Sequence, residues 1–489
     1  MISRDLQGAV RREFDLIVVG GGIYGASVLN EAAQRGLSAC LFDAGDFGGV
    51  TSCNSLRILH GGLRYLQTAD LRRFFQSVAA RRDMARKYPR LVRTLPCLLP
   101  LYGGLMKRPS IMRLALLAND TLGAARNVGL PPHLRLPRGE VLSVDATREQ
   151  FASVRPEGLR GAARWYDYFM LSSERMLIEQ LHSACARGAV AINRARVEDI
   201  LVEGNAARGV IIRDELTGAK QTVRAHSVVN CAGPRVRELA TGRGGDIATL
   251  FRPSLAFNLL LDVRVPSAAA LGVSAPQPGA PVLFLVPQGD TTLAGTMHMP
   301  RPATTVDAVP TPPEVQLFLS HIRGAVPGLK VGAENVRRIF AGLLPAKADE
   351  SALLSKREII HDHGKFGGPK NFYSVSGVKY TTAGHVASQV LDTVSPDRGV
   401  AAVNGSKVVQ AALSEATDLL TDVQKLWTVP SSELRQTLQR VVAQEAVHSI
   451  DDLMLRRTNW ATVSPDMESV RSRLLELLPE FSARAAEPA

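Results

Sequence analysis

Three glycines, spaced Gly20-x-Gly22-x-x-Gly25, stand between a short apolar run and a longer helical stretch. They constrain the fold more than any other feature of the chain. Residues 14–19 (Phe-Asp-Leu-Ile-Val-Val) have the apolar, β-branched character of a buried parallel strand. Residues 23–35 read as a helix closed by Gly36, and residues 38–42 as a second strand ending at Asp43. Together they make a β-α-β unit. In such a unit Gly20 permits the tight turn, and Gly22 lets the backbone approach a pyrophosphate at the helix N-terminus. Gly25 permits close packing of helix on strand. Asp43 lies 23 residues beyond Gly20, where a carboxylate accepts hydrogen bonds from ribose hydroxyls and disfavours the 2′-phosphate of NADP. The pattern predicts dinucleotide binding in an α/β fold and leaves FAD and NAD both open.

At 489 residues the chain is too long for one simple core. Helices are expected at 71–88 and 172–187, and strands at 190–202, 209–213 and 223–231. Alternating β-like runs fill 250–345, with a Pro- and Thr-rich loop at 300–313. From 404 onward helical periodicity replaces the strand signals. Residues 404–489 carry 9 basic and 12 acidic side chains, net −3, against +15 for the first 403, which marks a separate C-terminal unit. The net charge of +12 suits an anionic partner. Five dispersed cysteines (40, 53, 97, 185 and 231), with no Cys-x-x-Cys pair, argue against a disulfide framework or zinc site and favour a reducing, cytoplasmic compartment. No run of 18 apolar residues predicts a spanning helix, and the first apolar run is too short for a signal-peptide core. No aromatic platform interleaved with basic residues supports nucleic-acid binding. His361-Asp-His363 is an isolated pair and reads as a solvated loop rather than a metal site.

Four further strings carry a resemblance. His60-Gly-Gly-Leu-Arg64-Tyr65 closes the segment 51–66. Asn230-Cys-Ala232-Gly233-Pro follows a strand-like run. Gly377-Val-Lys379-Tyr-Thr381-Thr382 comes late in the chain, and Arg456-Arg457-Thr458 lies in the helical tail. In these strings the sequence resembles the FAD-dependent glycerol-3-phosphate dehydrogenase family, within the D-amino-acid-oxidase-like flavoproteins. The resemblance implies FAD as cofactor. It implies a Rossmann-like FAD-binding domain from segments 14–68, 170–240 and 350–403, interleaved with a β-sheet substrate domain from 69–169 and 241–349. Residues 1–403 would form this core and 404–489 a helical C-terminal domain. Ala232, Gly233, Gly377, Lys379, Thr381 and Thr382 would contact FAD. Ser52 and Ser55 would bond cofactor oxygens or cap the following turn.

The resemblance places His60 beside the flavin, where an imidazole suits removal of a hydroxyl proton near neutral pH. Arg64, Tyr65, Arg357 and Lys379 match the family's anion pocket, where guanidinium and ammonium groups suit a phosphate. Departures at Thr296-Met-His298, Ser172-Ser173, Leu56 and, above all, Leu344 bear on substrate. The family's Gly-x-Arg-Pro appears here as Gly342-Leu-Leu344-Pro345, so Leu344 replaces a substrate-contacting arginine. The implied reaction is hydride transfer from a secondary alcohol of glycerol 3-phosphate, or a related phosphorylated polyol unit, to FAD, with electrons passed to quinone or another acceptor. An amine or amino-acid oxidase and a non-catalytic flavin-binding subunit remain as alternatives.

Two stretches suggest peripheral attachment to an anionic membrane surface. Leu71, Phe74, Phe75 and Val78 fall on one helical face among arginines. Met106, Ile111, Met112, Leu114, Leu116 and Leu117 lie beside Lys107, Arg108 and Arg113.

Overall fold

The strand Glu13–Val19 sits near the middle of an eight-stranded sheet, and from Leu16 to Val19 it is buried on both faces. Leu16 and Val18 face one core cluster, while Phe14, Ile17 and Val19 face another. The period-two alternation of a strand therefore reads as one continuous apolar run. In this computed structural model, which describes residues 1–66, 68–245, 247–397, 417–464 and 466–484, Glu13–Val19 pairs in parallel with Ala39–Phe42 and Lys220–Asn230. Val190–Ile192 and Phe372–Ser376 extend the parallel array, and Ile359–Asp362 adds an antiparallel edge. Helices Ile23–Gln34, Ser173–Cys185 and Ala383–Val394 pack on one face. An antiparallel ribbon, Ala195–Glu203 with Ala206–Asp214, supplies the core of the other. The single strand expected at 190–202 is two strands, because Arg194 takes φ +53° and breaks the run.

A second, nine-stranded sheet runs in the order Val336–Pro345, Pro253–Leu261, Thr291–Pro300, Leu283–Gln288, Ala270–Val273, Val92–Pro100, Ala162–Met170 and Ile58–Leu59, with Glu140–Leu142 joined to Ala162–Met170. Ile58–Leu59, placed with the nucleotide-side segments by sequence, pairs into this second sheet instead. Pro253–Leu261 is buried throughout and packs with helix Pro312–Ala325. That helix begins inside the loop expected at 300–313. Thr311 and Glu314 form a capping box, and Pro312 occupies the first turn, where its missing N–H costs nothing.

Helices Ser431–Gln444 and Met467–Leu477 enclose a third core around fully buried Trp460. A π-helical turn, Leu453–Arg457, carries the Arg-Arg pair. Among the described residues no helix is long and apolar enough to cross a membrane.

Candidate active site

The glycine turn is a steric necessity. Gly20 takes φ +95°, and a Cβ there would lie 2.6 Å from the Cys231 carbonyl oxygen. A Cβ on Gly25 would lie 1.8 Å from the Gly20 carbonyl oxygen, so helix Ile23–Gln34 approaches its strand only because position 25 lacks a side chain. Gly22 caps this helix, and Ser52 Oγ accepts from the Ile23 amide at 2.9 Å. Ser52 thus touches the end of the helix that favours negative charge. Asp43 braces the same turn: its two oxygens accept from the Gly21 and Gly45 amides at 2.6 and 2.8 Å. Burial pushes its carboxyl above the usual range.

The late Gly-Lys segment is held by Tyr24, from the first turn of the glycine-led helix. Its hydroxyl accepts from the Lys379 amide at 3.0 Å and donates to the Lys379 carbonyl at 2.8 Å. Burial keeps this phenol protonated, far above its ordinary value. A Cβ on Gly377 would fall 1.9 Å from Tyr24 Cζ, so the ring occupies the space a side chain would need.

A continuous cavity of about 2010 Å³ joins these pieces, roughly twice the upper end of common ligand pockets at about 300–1,000 Å³. Gly20, Gly22, Asp43, Ser52, Ser55, Ala232, Gly233, Gly377, Thr381 and Thr382 all line it, as do His60, Tyr65, Leu344 and Lys379. Gly25 does not; its role is packing. Arg357 does not either. It is exposed, and its carbonyl accepts from Ser355, while its neighbour Lys356 lines the cavity. Both side chains are exposed, and Lys356 rather than Arg357 borders the cavity, contrary to the sequence expectation. Arg64 belongs to the short helix Leu63–Leu66, and its side chain lies outside the described parts of the chain.

His60 is 46% exposed, and its Nδ1 lies 3.2 Å from Asp167 Oδ2. Asp167 is buried. It also accepts from the Gly61 amide at 2.8 Å, from Trp165 Nε1 at 3.1 Å and from Arg81. His60 and Arg81 hold its carboxyl far below the ordinary range despite burial. An ionised Asp167 fixes the proton of His60 on Nδ1, which leaves Nε2 as the basic nitrogen. The Phe284 ring lies 5.2 Å from the imidazole. Lys379 Nζ donates to the Tyr65 hydroxyl and lies 4.2 Å from the ring centroid, and the Arg73 guanidinium lies 4.6 Å from that centroid. Both cations line the cavity.

Asp167 and Arg73 escaped the sequence reading. The signal for Asp167 is an acid inside the otherwise mostly buried strand Ala162–Met170. Arg73 sat in a helix read as a membrane face.

The turn, the half-buried acid just after the second strand and the size of the cavity define a dinucleotide-binding site. The residues present fit a dinucleotide: glycines whose side chains would collide, a helix N-terminus, and hydroxyls along one wall. Residues 15–390 match the FAD-dependent oxidoreductase family, to which this chain belongs, and FAD is its cofactor. It is 29% identical over 419 residues to the probable mitochondrial glycerol-3-phosphate dehydrogenase of Caenorhabditis elegans, covering 83% of this chain and 56% of that protein. It is 26% identical over 395 residues to glycerol-3-phosphate dehydrogenase of Synechocystis sp., covering 78% and 70%. The chain thus spans little more than half the nematode protein. The fold is similar to that of the Bacillus halodurans glycerol-3-phosphate dehydrogenase solved with FAD. The TM-score is 0.72 at 22% identity, over 99% of this chain and 94% of that one.

Proposed function

We propose that this protein is an FAD-dependent dehydrogenase that oxidises the secondary hydroxyl of glycerol 3-phosphate or a closely related phosphorylated polyol. The observation that carries this reading is the His60–Asp167 pair on a cavity wall that also presents Lys379, Tyr65 and Arg73. Bound FAD supplies the hydride acceptor. His60 Nε2 takes the hydroxyl proton, and Asp167 stabilises the imidazolium that results. Burial of Asp167 against Arg81, Trp165 and Gly61 keeps the imidazole from turning away. Lys379 and Arg73, with Arg64 by resemblance, hold the substrate phosphate. Leu344 lines the cavity where the family pattern has an arginine, so this part of the wall is apolar and accommodates a group other than a bare phosphate. Gly20, Gly22, Asp43, Ser52, Ser55, Ala232, Gly233, Gly377, Thr381 and Thr382 hold the cofactor.

The test is an anaerobic panel of phosphorylated polyols, amines and amino acids, followed by loss of the oxidised-flavin absorbance. The reading expects bleaching by phosphorylated polyols. Bleaching by amino acids alone would overturn it in favour of an oxidase on the same scaffold.

Electrons then leave to a quinone or another acceptor, from an enzyme resting on an anionic membrane surface. Support comes from exposed Leu71, Phe75, Leu105, Leu114 and Leu117 beside exposed Arg72, Arg108 and Arg113. The patch is smaller than the sequence pattern suggested. Phe74 and Val78 are buried with Tyr65, Met112 and Leu116 belong to the protein's own core, and the Met106 side chain lies outside the described parts. Co-sedimentation with vesicles containing anionic lipid, lost at high salt or with Leu114→Asp, is the expected result. Full recovery in the supernatant at low salt would refute attachment.

A further inference from the structure

The Arg456-Arg457 pair has no part in the reaction described above, yet its two side chains diverge from one π-helical turn into different surroundings. Arg457 is fully buried. It binds both oxygens of Asp46 at 2.7 and 2.8 Å and the Glu445 carbonyl at 2.8 Å. Asp46 stands three residues beyond Asp43, in the loop that braces the glycine turn. Arg457 therefore pins the C-terminal helical unit to the nucleotide-binding loop.

Its neighbour Arg456 lines the cavity. Arg57, Arg73, Arg194, Arg196 and Arg235 line it too, and each has a carboxylate within 3.6 Å. Arg456 has no hydrogen bond or ion pair among the described residues, and its buried Nε is without a partner. Buried polar groups of this kind are normally satisfied, and an unsatisfied guanidinium is an anion receptor. Its position identifies the anion. The Nε and Nη2 atoms lie 3.5 Å from where a Cβ on Gly49 would stand, which puts the guanidinium in contact range of this loop. The preceding residue, Gly48, donates its amide to the Gly21 carbonyl at 2.9 Å, inside the glycine turn. Arg456 thus stands beside the segment that receives the diphosphate.

We infer that Arg456 is a ligand of the FAD pyrophosphate, delivered to the nucleotide site by the C-terminal unit. That unit then completes the cofactor site, and the Arg457–Asp46 pair sets the position of the ligand. The inference rests on FAD as cofactor and not on the choice of substrate.

The test uses the full-length chain stripped of FAD and titrated with FAD, and separately with ADP, which carries the diphosphate without the flavin. Loss of one charge-assisted contact should raise the FAD Kd of Arg456→Gln by about 10- to 150-fold, with ADP weakened in parallel. Arg456→Lys should recover part of the loss, because a positive charge remains. Arg471→Gln, which breaks an exposed ion pair with Asp451 in the same unit, should leave both constants unchanged. A folded Arg456→Gln protein with FAD affinity within twofold of the parent would overturn the inference. So would weakened FAD binding with unchanged ADP binding, which would move Arg456 to the flavin end. Should the glutamine variant not fold, Arg456→Met and Arg456→Lys give the same comparison.

Discussion

The two ends of the cavity are built by different means. The cofactor end is mostly backbone: Gly20 and Gly25 are demanded by approaches of 2.6 and 1.8 Å to backbone oxygens, and Asp43 and Ser52 serve nearby amides. The other end, which the proposed function assigns to substrate, is made of side chains drawn from distant places. His60 meets Asp167 across a separation of 107 residues, and Lys379 meets Tyr65 across 314. A backbone site tolerates little change, because altering one residue moves the chain. A side-chain site can exchange single groups while the scaffold stands. The substitution at Leu344 fits that contrast: it alters the wall of the substrate region and leaves the glycine turn intact.

Asp167→Asn should have the largest effect among the ways to break this comparison. The amide no longer fixes the Nδ1 proton of His60 and leaves Arg81 buried without its carboxylate. Turnover should fall by about 10²- to 10⁴-fold. Flavin content measured on the denatured protein should stay near one per chain if the two ends are independent, and a proportional loss of FAD would show that they are not.

Glu445→Gln probes the support beneath the cofactor end. Glu445 binds Arg175 and His182, and the Arg175 charge together with the hydrogen bond to His182 holds its carboxyl down to about 2 despite burial. Removing one partner of a buried pair costs about 3–5 kcal/mol. The folded value is depressed, so the carboxylate's contribution is present above the ordinary 4.5 and is lost as pH falls toward about 2. Urea midpoints of parent and variant should therefore differ most near neutral pH and converge under acid. A gap that widens in acid would contradict the assignment.

Leu344→Arg sharpens the contrast by restoring the family pattern. A new charge-assisted contact, worth roughly 1.5–3 kcal/mol, should raise kcat/KM for glycerol 3-phosphate by about 10- to 150-fold. FAD affinity should not move. An unchanged kcat/KM would show that Arg73 and Lys379 already saturate the phosphate.

Legibility in the sequence followed the same division. The β-α-β unit, its glycines and Asp43 are readable because their spacing falls within some 25 residues, even though the collision that requires Gly20 is with distant Cys231. His60, Tyr65 and Lys379 were reached through short strings whose resemblance located them, and they line one cavity. Asp167 is hidden because, apart from Trp165 on its own strand, its partners His60, Gly61 and Arg81 lie some 86 to 107 residues away in the chain. The resemblance puts Arg357 in the pocket, whereas Lys356 lines the cavity, since the direction of a side chain in a loop is not set by any period. The membrane face was overdrawn for a related reason. Helical spacing shows that Phe74 and Phe75 share a side, but burial separates them: Phe74 is 0% exposed and Phe75 46%. Helix Pro312–Ala325 was lost under proline-rich composition, although Thr311 and Glu314 carried its start signal.

On the proposed reading, His60 moves the proton at a site whose cofactor end it does not hold. Anaerobic stopped-flow reduction probes this with two enzymes of matched FAD content, the parent and His60→Gln, mixed with glycerol 3-phosphate or the most active phosphorylated polyol. The parent should lose its oxidised-flavin absorbance, and the variant should do so at least about 100-fold more slowly while binding FAD equally well. Equal rates in the two proteins would contradict the account.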